Sequence, residues 1–178
     1  YYILMKKKTL FFILFFLFAQ LVNSFAVEKI VFIDINFIFN NSEAGKDLKS
    51  QISKKNDDLQ IEINKFKTEI EEKRKKILSQ QNVLSVDEYN NKVKNLEDQI
   101  NDVNLIIKKK RGDLKIYQTK VENNFSKSLN TLIEEYSLEN SIDIILNKKD
   151  LLMAKKDLDI TEKIFDLFNE RIKKINIK

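Results

Sequence analysis

The sequence predicts an α+β chain that is mostly α: a long antiparallel helical hairpin, a coiled-coil arm, carried on a small β body. Three observations predict it. From Glu43 to about Tyr136 the chain is charged, free of proline and apolar at alternating steps of three and four residues. Val86, Tyr89, Val93, Leu96, Ile100, Val103, Ile107, Leu114, Tyr117 and Val121 share one seam, interrupted only by Lys110, and such a stripe is too long and too narrow for a helix packed on a globular core. A capping box, Ser85-Val-Asp-Glu88, breaks this stretch near its middle. Short β-branched and aromatic runs flank it on both sides.

The first 26 residues read as a secretory signal rather than part of the fold. Met5 precedes a positive Lys6-Lys-Lys8 region, Leu10 to Ala19 is unbroken and apolar, and Ser24-Phe25-Ala26 offers the small-x-small pattern that signal peptidase needs. The apolar run is short for a membrane span, so cleavage before Val27 is expected over an uncleaved anchor. No cysteine follows it to carry a lipid.

The working chain opens with Glu28-Lys-Ile-Val-Phe-Ile-Asp-Ile-Asn36, a run suited to a strand buried on nearly both faces. Phe37, Ile38 and Phe39 extend its apolar character into a connection, and Asn40, Asn41 and Ser42 supply turn and N-cap chemistry before a first helix near Glu43. Its seam runs Ile52, Asn56, Leu59, Ile63, Phe66, Ile70, Lys73, Ile77 and fades through Ser79–Asn82. The second helix, Val86 to about Tyr136, is the longer. Its stripe shifts at Asn124 to Phe125, Leu129, Leu132 and Tyr136, where the shorter first helix runs out and the second enters the body. Ser141–Leu146 and Leu151–Ala154 read as two strands of a hairpin turned by Asn147–Asp150. Thr161 caps a terminal helix carrying Ile164, Phe165, Phe168, Ile172 and Ile175. Three strands from one chain leave open edges, which a sheet closed between identical chains would remove. The expected boundaries are 1–26 for the signal, 27–42 with 124–178 for the body, and 43–123 for the arm with its tip near 79–86.

Composition excludes much chemistry. With no Cys, His or Trp, the chain offers no disulfide, thiolate nucleophile, histidine base or ordinary zinc site. No enzyme activity and no cofactor are expected. Setting aside the three lysines of residues 1–26, which contain no acid, leaves 29 basic against 27 acidic residues, a charge of +2. A dedicated nucleic-acid binder is more basic than that.

Taken together, the signal, the opening Glu28–Asn36 run, the long helical hairpin and the closing Ile142-Asp-Ile-Ile-Leu-Asn147 and Leu158-Asp-Ile-Thr161 segments resemble the Skp/OmpH-like periplasmic chaperones. The two ends are the specific parts, since the middle would match many coiled coils. The resemblance implies a homotrimer whose body sheet is completed by trimerisation. It also implies three tentacles around a cavity that holds unfolded outer-membrane proteins without ATP. The low charge departs from the strongly basic character of the best-known member, so no lipopolysaccharide site is carried over.

The candidate sites follow. Ile30, Phe32, Ile33, Ile142, Ile144, Leu146 and Leu152 are expected in the trimerising body. Lys73, Arg74, Lys75, Lys76, Lys92 and Lys94 gather at the hairpin tip, either as a surface that meets anionic membrane or as solvated charges that keep the tip soluble. Asn56, Lys110 and Gly112 fall at one level of the arm if the turn centres near residue 83, forming either a bending point or a register-setting polar layer. Phe66 and Ile61 are candidates to line the client cavity. Asp34, Asp143 and Asp159 read as turn, cap and sheet-end residues. The leading function is a periplasmic holdase with unfolded outer-membrane proteins, itself and transiently the membrane surface as partners. The alternative is a structural envelope protein in which the coiled coil is a spacer or scaffold.

Overall fold

The structure, a computed structural model, describes residues 28–177. The expected signal over 1–26, with cleavage before Val27, lies outside the described residues. The chain runs β1 (Ile30–Ile33), α1 (Ile35–Asn41), α2 (Glu43–Ser79), α3 (Val86–Asn140), β2 (Ile144–Asn147) and α4 (Thr161–Arg171), with single 3-10 turns at Lys148–Asp150 and Lys156–Leu158.

The first strand is shorter than its apolar run, because Asp34 stops it. Its carboxylate accepts a hydrogen bond from the Phe37 amide at 2.8 Å and so caps α1. Ile35 and Asn36, expected in the strand, and Phe37, Ile38 and Phe39, expected as a connection, are therefore helix. That helix buries Ile38 completely, sets Phe39 edge-on to Phe125 at 4.9 Å and Phe37 edge-on to Phe165 at 5.5 Å. A period-two reading of an apolar run cannot see a cap inside it.

Ser42 ends α1 and caps α2: its amide donates to the Ile38 carbonyl, and its Oγ accepts from the Gly45 amide at 3.1 Å. Ser42 and Ala44 are fully buried here. Gly45 is the residue that lets α1 and α2 meet so closely. A Cβ at that position would collide with the Phe39 carbonyl oxygen and lie 2.9 Å from Ser42 Oγ.

The hairpin follows the expected seam. With 37 residues in α2 and 55 in α3, the helices are ~55 Å and ~80 Å long at ~1.5 Å per residue. The capping box forms: Ser85 Oγ accepts from the Glu88 amide, and the Glu88 carboxylate accepts from the Ser85 amide. Leu59, Ile63, Leu96 and Val121 are buried between the helices, with Ile52, Phe66, Ile70, Ile100, Ile107 and Leu114 half-buried along the same stripe. Val86, the first residue of α3, is exposed. The stripe shifts at Asn124 as expected, and Phe125, Leu129 and Leu132 enter the body core. The helix runs four residues past Tyr136, to Asn140, where Ser141 turns left-handed with φ 51°.

The two strands pair in parallel, Ile30 opposite Ile144 through Ile33 opposite Asn147. The whole hairpin is therefore the crossover between neighbouring strands. The expected β-hairpin between Ser141–Leu146 and Leu151–Ala154 is not present. Asn147 accepts from the Lys149 amide and the Leu151 amide donates to the Lys148 carbonyl, so the chain winds into a 3-10 turn instead of reversing. The other edge of β1 is taken by the segment before α4, where the Ile160 amide donates to the Phe32 carbonyl at 3.0 Å.

Ile160 holds the cap position of α4, so Thr161 is not the cap but the first helical residue. The helix ends at Arg171, yet Ile175 beyond it is still buried. One core results: Val31 and Ile33 of β1, Ile38 of α1, Ala44 and Leu48 of α2, Val121 to Leu132 of α3, and Ile160, Ile164, Phe168 and Ile175 around α4. Phe168 stacks obliquely on Phe125 at 5.2 Å. Only the root of α2 joins this core, and the rest of the hairpin packs on itself.

Candidate functional site

The residues singled out from the sequence fall in three regions: the arm, its tip and the body around β2. On the arm, Lys110 crosses to α2 and meets Glu62 at 2.7 Å. Asn56, expected opposite Lys110, is exposed and does not take part. The reason is geometric. Helical side chains lean toward the N-terminus of their own helix, which for α3 is the tip, so Lys110 reaches tipward past Asn56 to Glu62. Lys73 similarly meets Gln99. An open groove of about 340 Å³ lies at this level, lined by Lys55, Asp58, Leu59, Glu62, Lys110, Asp113, Leu114 and Tyr117. Gly112 faces open space, with nothing within 4 Å of a Cβ built on it. Nearer the root, Tyr117 donates its hydroxyl to Gln51 at 2.8 Å while the Lys55 ammonium lies 4.7 Å over its ring.

The arm surface carries a few exposed apolar side chains, among them the neighbours Leu105 and Ile106. Ile61, Leu105 and Ile116 are each about two-thirds exposed, at 68%, 65% and 67%. Phe66 is half-buried, at its seam position on α2. At the tip, Lys73, Arg74, Lys75, Lys76, Lys92 and Lys94 are all exposed. Beside them a groove of about 260 Å³ between Ile77, Leu78, Tyr89 and Val93 has Arg74 on its rim.

On the body, Phe32 and Ile33 are covered by their own chain and Ile142 is half-buried. Ile30, Ile144 and Leu146 remain about 40% exposed, and Leu152 and Met153 are fully in solvent. Ile144 and Leu146 stand two residues apart, on one face of β2. Among the described residues β2 pairs only with β1, so its outer edge is open.

The three carboxylates singled out from the sequence hold the body together. Asp34 caps α1, and Asp143 accepts from the Lys29 amide at 2.7 Å. Asp159 accepts from both the amide and the hydroxyl of buried Thr161, whose Oγ1 in turn accepts from the Asp34 amide. Lys148 lies 3.4 Å away. Burial pushes the Asp159 carboxyl up, but the Thr161 hydrogen bonds and the Lys148 ammonium outweigh it and hold the group below the usual aspartate value. A carboxyl with a depressed folded pKa adds stability above its unfolded pKa, and that stability is lost as pH falls through the folded value. Asp159→Asn should therefore lower stability at pH 7 and shrink the gap to wild type as pH drops below about 4. Urea midpoints measured across that range check it; a gap constant with pH would contradict the clasp.

Among the described residues no group of three or more acidic or other ligating side chains is placed to hold a metal, and no helix is long and apolar enough to cross a membrane.

The fold is an arm carried on a small body. A family model described as Outer membrane protein (OmpH-like) matches residues 29–168, and the chain belongs to the OmpH-like family. A crystal structure of a putative outer membrane chaperone (OmpH-like) from Caulobacter crescentus CB15 has the same fold. Its TM-score is 0.77 at 15% identity, over 85% of this chain and 89% of that one. No curated protein matches the chain. Membership in this family supports a chaperone role.

Proposed function

We propose that the chain is an ATP-independent holdase of the periplasm, reached by means of a cleaved signal peptide. It works as a homotrimer whose arms enclose unfolded outer-membrane proteins and keep them from aggregating. The observation that carries this reading is the arm itself, which among the described residues packs on itself beyond its root and displays a few apolar side chains, Ile61, Ile116 and the adjacent Leu105 and Ile106, on a largely polar surface. Dispersed apolar contacts suit clients of many sequences that must be released without an energy source. Residues 27–42 and 124–178 form the trimerising body and 43–123 the arm. The open edge of β2, with Ile144, Leu146 and Leu152 exposed near it, supports closure of the sheet between chains. The six basic tip residues touch anionic membrane transiently, and the arm bends at the Lys110–Gly112 level to admit clients of different size.

Dilution of a urea-unfolded outer-membrane β-barrel protein tests the function. With this protein in molar excess as trimer, light scattering should stay near baseline for minutes, whereas the β-barrel protein alone turns turbid. Equal turbidity with and without it would refute the holdase reading.

A further inference from the structure

We propose that Lys110 and Glu62 form a salt-sensitive latch that sets the stiffness of the arm. This rests on the reading that the arm bends, and it names what controls the bending. Lys110 occupies the one seam position of α3 that is not apolar, between Ile107 and Leu114. Among the described residues its 2.7 Å bond to Glu62 is the only salt bridge that joins the two arm helices. The other levels of the seam are held by apolar contact and by contacts with at most one full charge, Lys73 to Gln99, Tyr117 to Gln51 and Lys55 over the Tyr117 ring, which salt screens less than a pair of opposite charges. Here the attraction is between two charges whose side chains are 42% and 36% exposed. The screening length falls from about 10 Å at 0.1 M salt to about 3 Å at 1 M, close to the separation of the pair itself.

Three further features place a joint at this level. Gly112, two residues on, gives α3 its least constrained helical position and packs against nothing. The open groove between the helices leaves room for movement. The root side is anchored by Tyr117 through Gln51 and by buried Val121, so a bend begins tipward of Tyr117. A released Lys110 is not left stranded. Asp113 lies one turn along on its own helix and lines the same groove, the spacing at which opposite charges on a helix meet. The arm thus has a latched state with Lys110 on Glu62 and an open state with Lys110 on Asp113.

The chain has no cysteine, so spin labels can be placed freely at Asp98→Cys and Ser126→Cys, two exposed sites of α3 on either side of the joint. The labelled chain is diluted with unlabelled chain so that distances within one arm dominate, and pulsed electron resonance reads the spread of distances. The wild-type spread should widen about twofold between about 20 mM and 1 M NaCl. Lys110→Met, which fills the seam with an apolar side chain, should be narrow at both concentrations. Glu62→Gln should be wide at both. A wild-type spread that ignores salt, or a Lys110→Met variant that widens with salt as wild type does, overturns the latch. If the same preparation still suppresses β-barrel aggregation, the latch alone has failed and the holdase reading stands.

Discussion

Gly45→Ala should cost the protein about 2–3 kcal/mol, a large fraction of the stability of a small domain. The penalty does not come from backbone conformation, because no glycine in the described chain has positive φ. It comes from space. The added methyl would drive into the Phe39 carbonyl oxygen and crowd Ser42 Oγ, the atom that caps α2 by accepting from the Gly45 amide. A flexible side chain could step aside, but a backbone carbonyl at the end of α1 cannot move without carrying α1 along. That helix holds Ile38 in the core and Phe39 against Phe125, so relief of the clash disturbs the packing of α1 on α3. Gly112→Ala is the matched control. Its Cβ meets nothing, and removing a mid-helix glycine should gain up to about 1 kcal/mol. Urea unfolding of both variants at one fixed protein concentration, needed because association adds to measured stability, checks the contrast. Equal midpoints for Gly45→Ala and wild type would show that the two helices are not so closely locked.

What could be read from the sequence depended on how far each signal extended along the chain. The hairpin was legible because its seam repeats for many turns and Ser85 with Glu88 marks the reversal by a local hydrogen-bond pattern. The shift at Asn124 was legible for the same reason. The body was less so. Asp34 ends a strand and starts a helix within one continuous apolar run, and composition does not distinguish the two halves. Leu151–Ala154 has strand-like residues but no partner, because the 3-10 turn at Lys148–Asp150 does not reverse the chain onto the open edge of β2. Parallel pairing of β1 with β2 is a contact over more than a hundred residues, and no local pattern announces it. The Lys110 break was visible as a flaw in the stripe. Residue counting from the turn sets Asn56 opposite it, because counting ignores the lean of helical side chains that carries Lys110 to Glu62.

Aspartate at both Ile144 and Leu146 should take the proposed trimer apart without unfolding its chains. These side chains stand about 40% exposed on one face of β2, so in a single chain a charge there stays in water and costs little. In an assembly closed through that strand the same charge would be buried in each of three equivalent interfaces. An unpaired buried carboxylate costs several kcal/mol even after relaxation, and two per chain exceed what a short strand pairing returns. Sedimentation at micromolar concentration should show wild type as a trimer and the double variant as a single chain, with the helical circular dichroism unchanged. Leu138→Asp, at an 84% exposed site on α3, controls for added charge alone and should leave the assembly intact. Suppression of β-barrel aggregation should fall with the trimer, since one arm presents scattered apolar side chains but encloses nothing. If the double variant remains a trimer, the chains associate through another surface, and the fully exposed Leu152–Met153 segment becomes the next place to put the charge. If it is a single chain that still protects its client, the arm acts alone, and enclosure between arms is not the basis of holding.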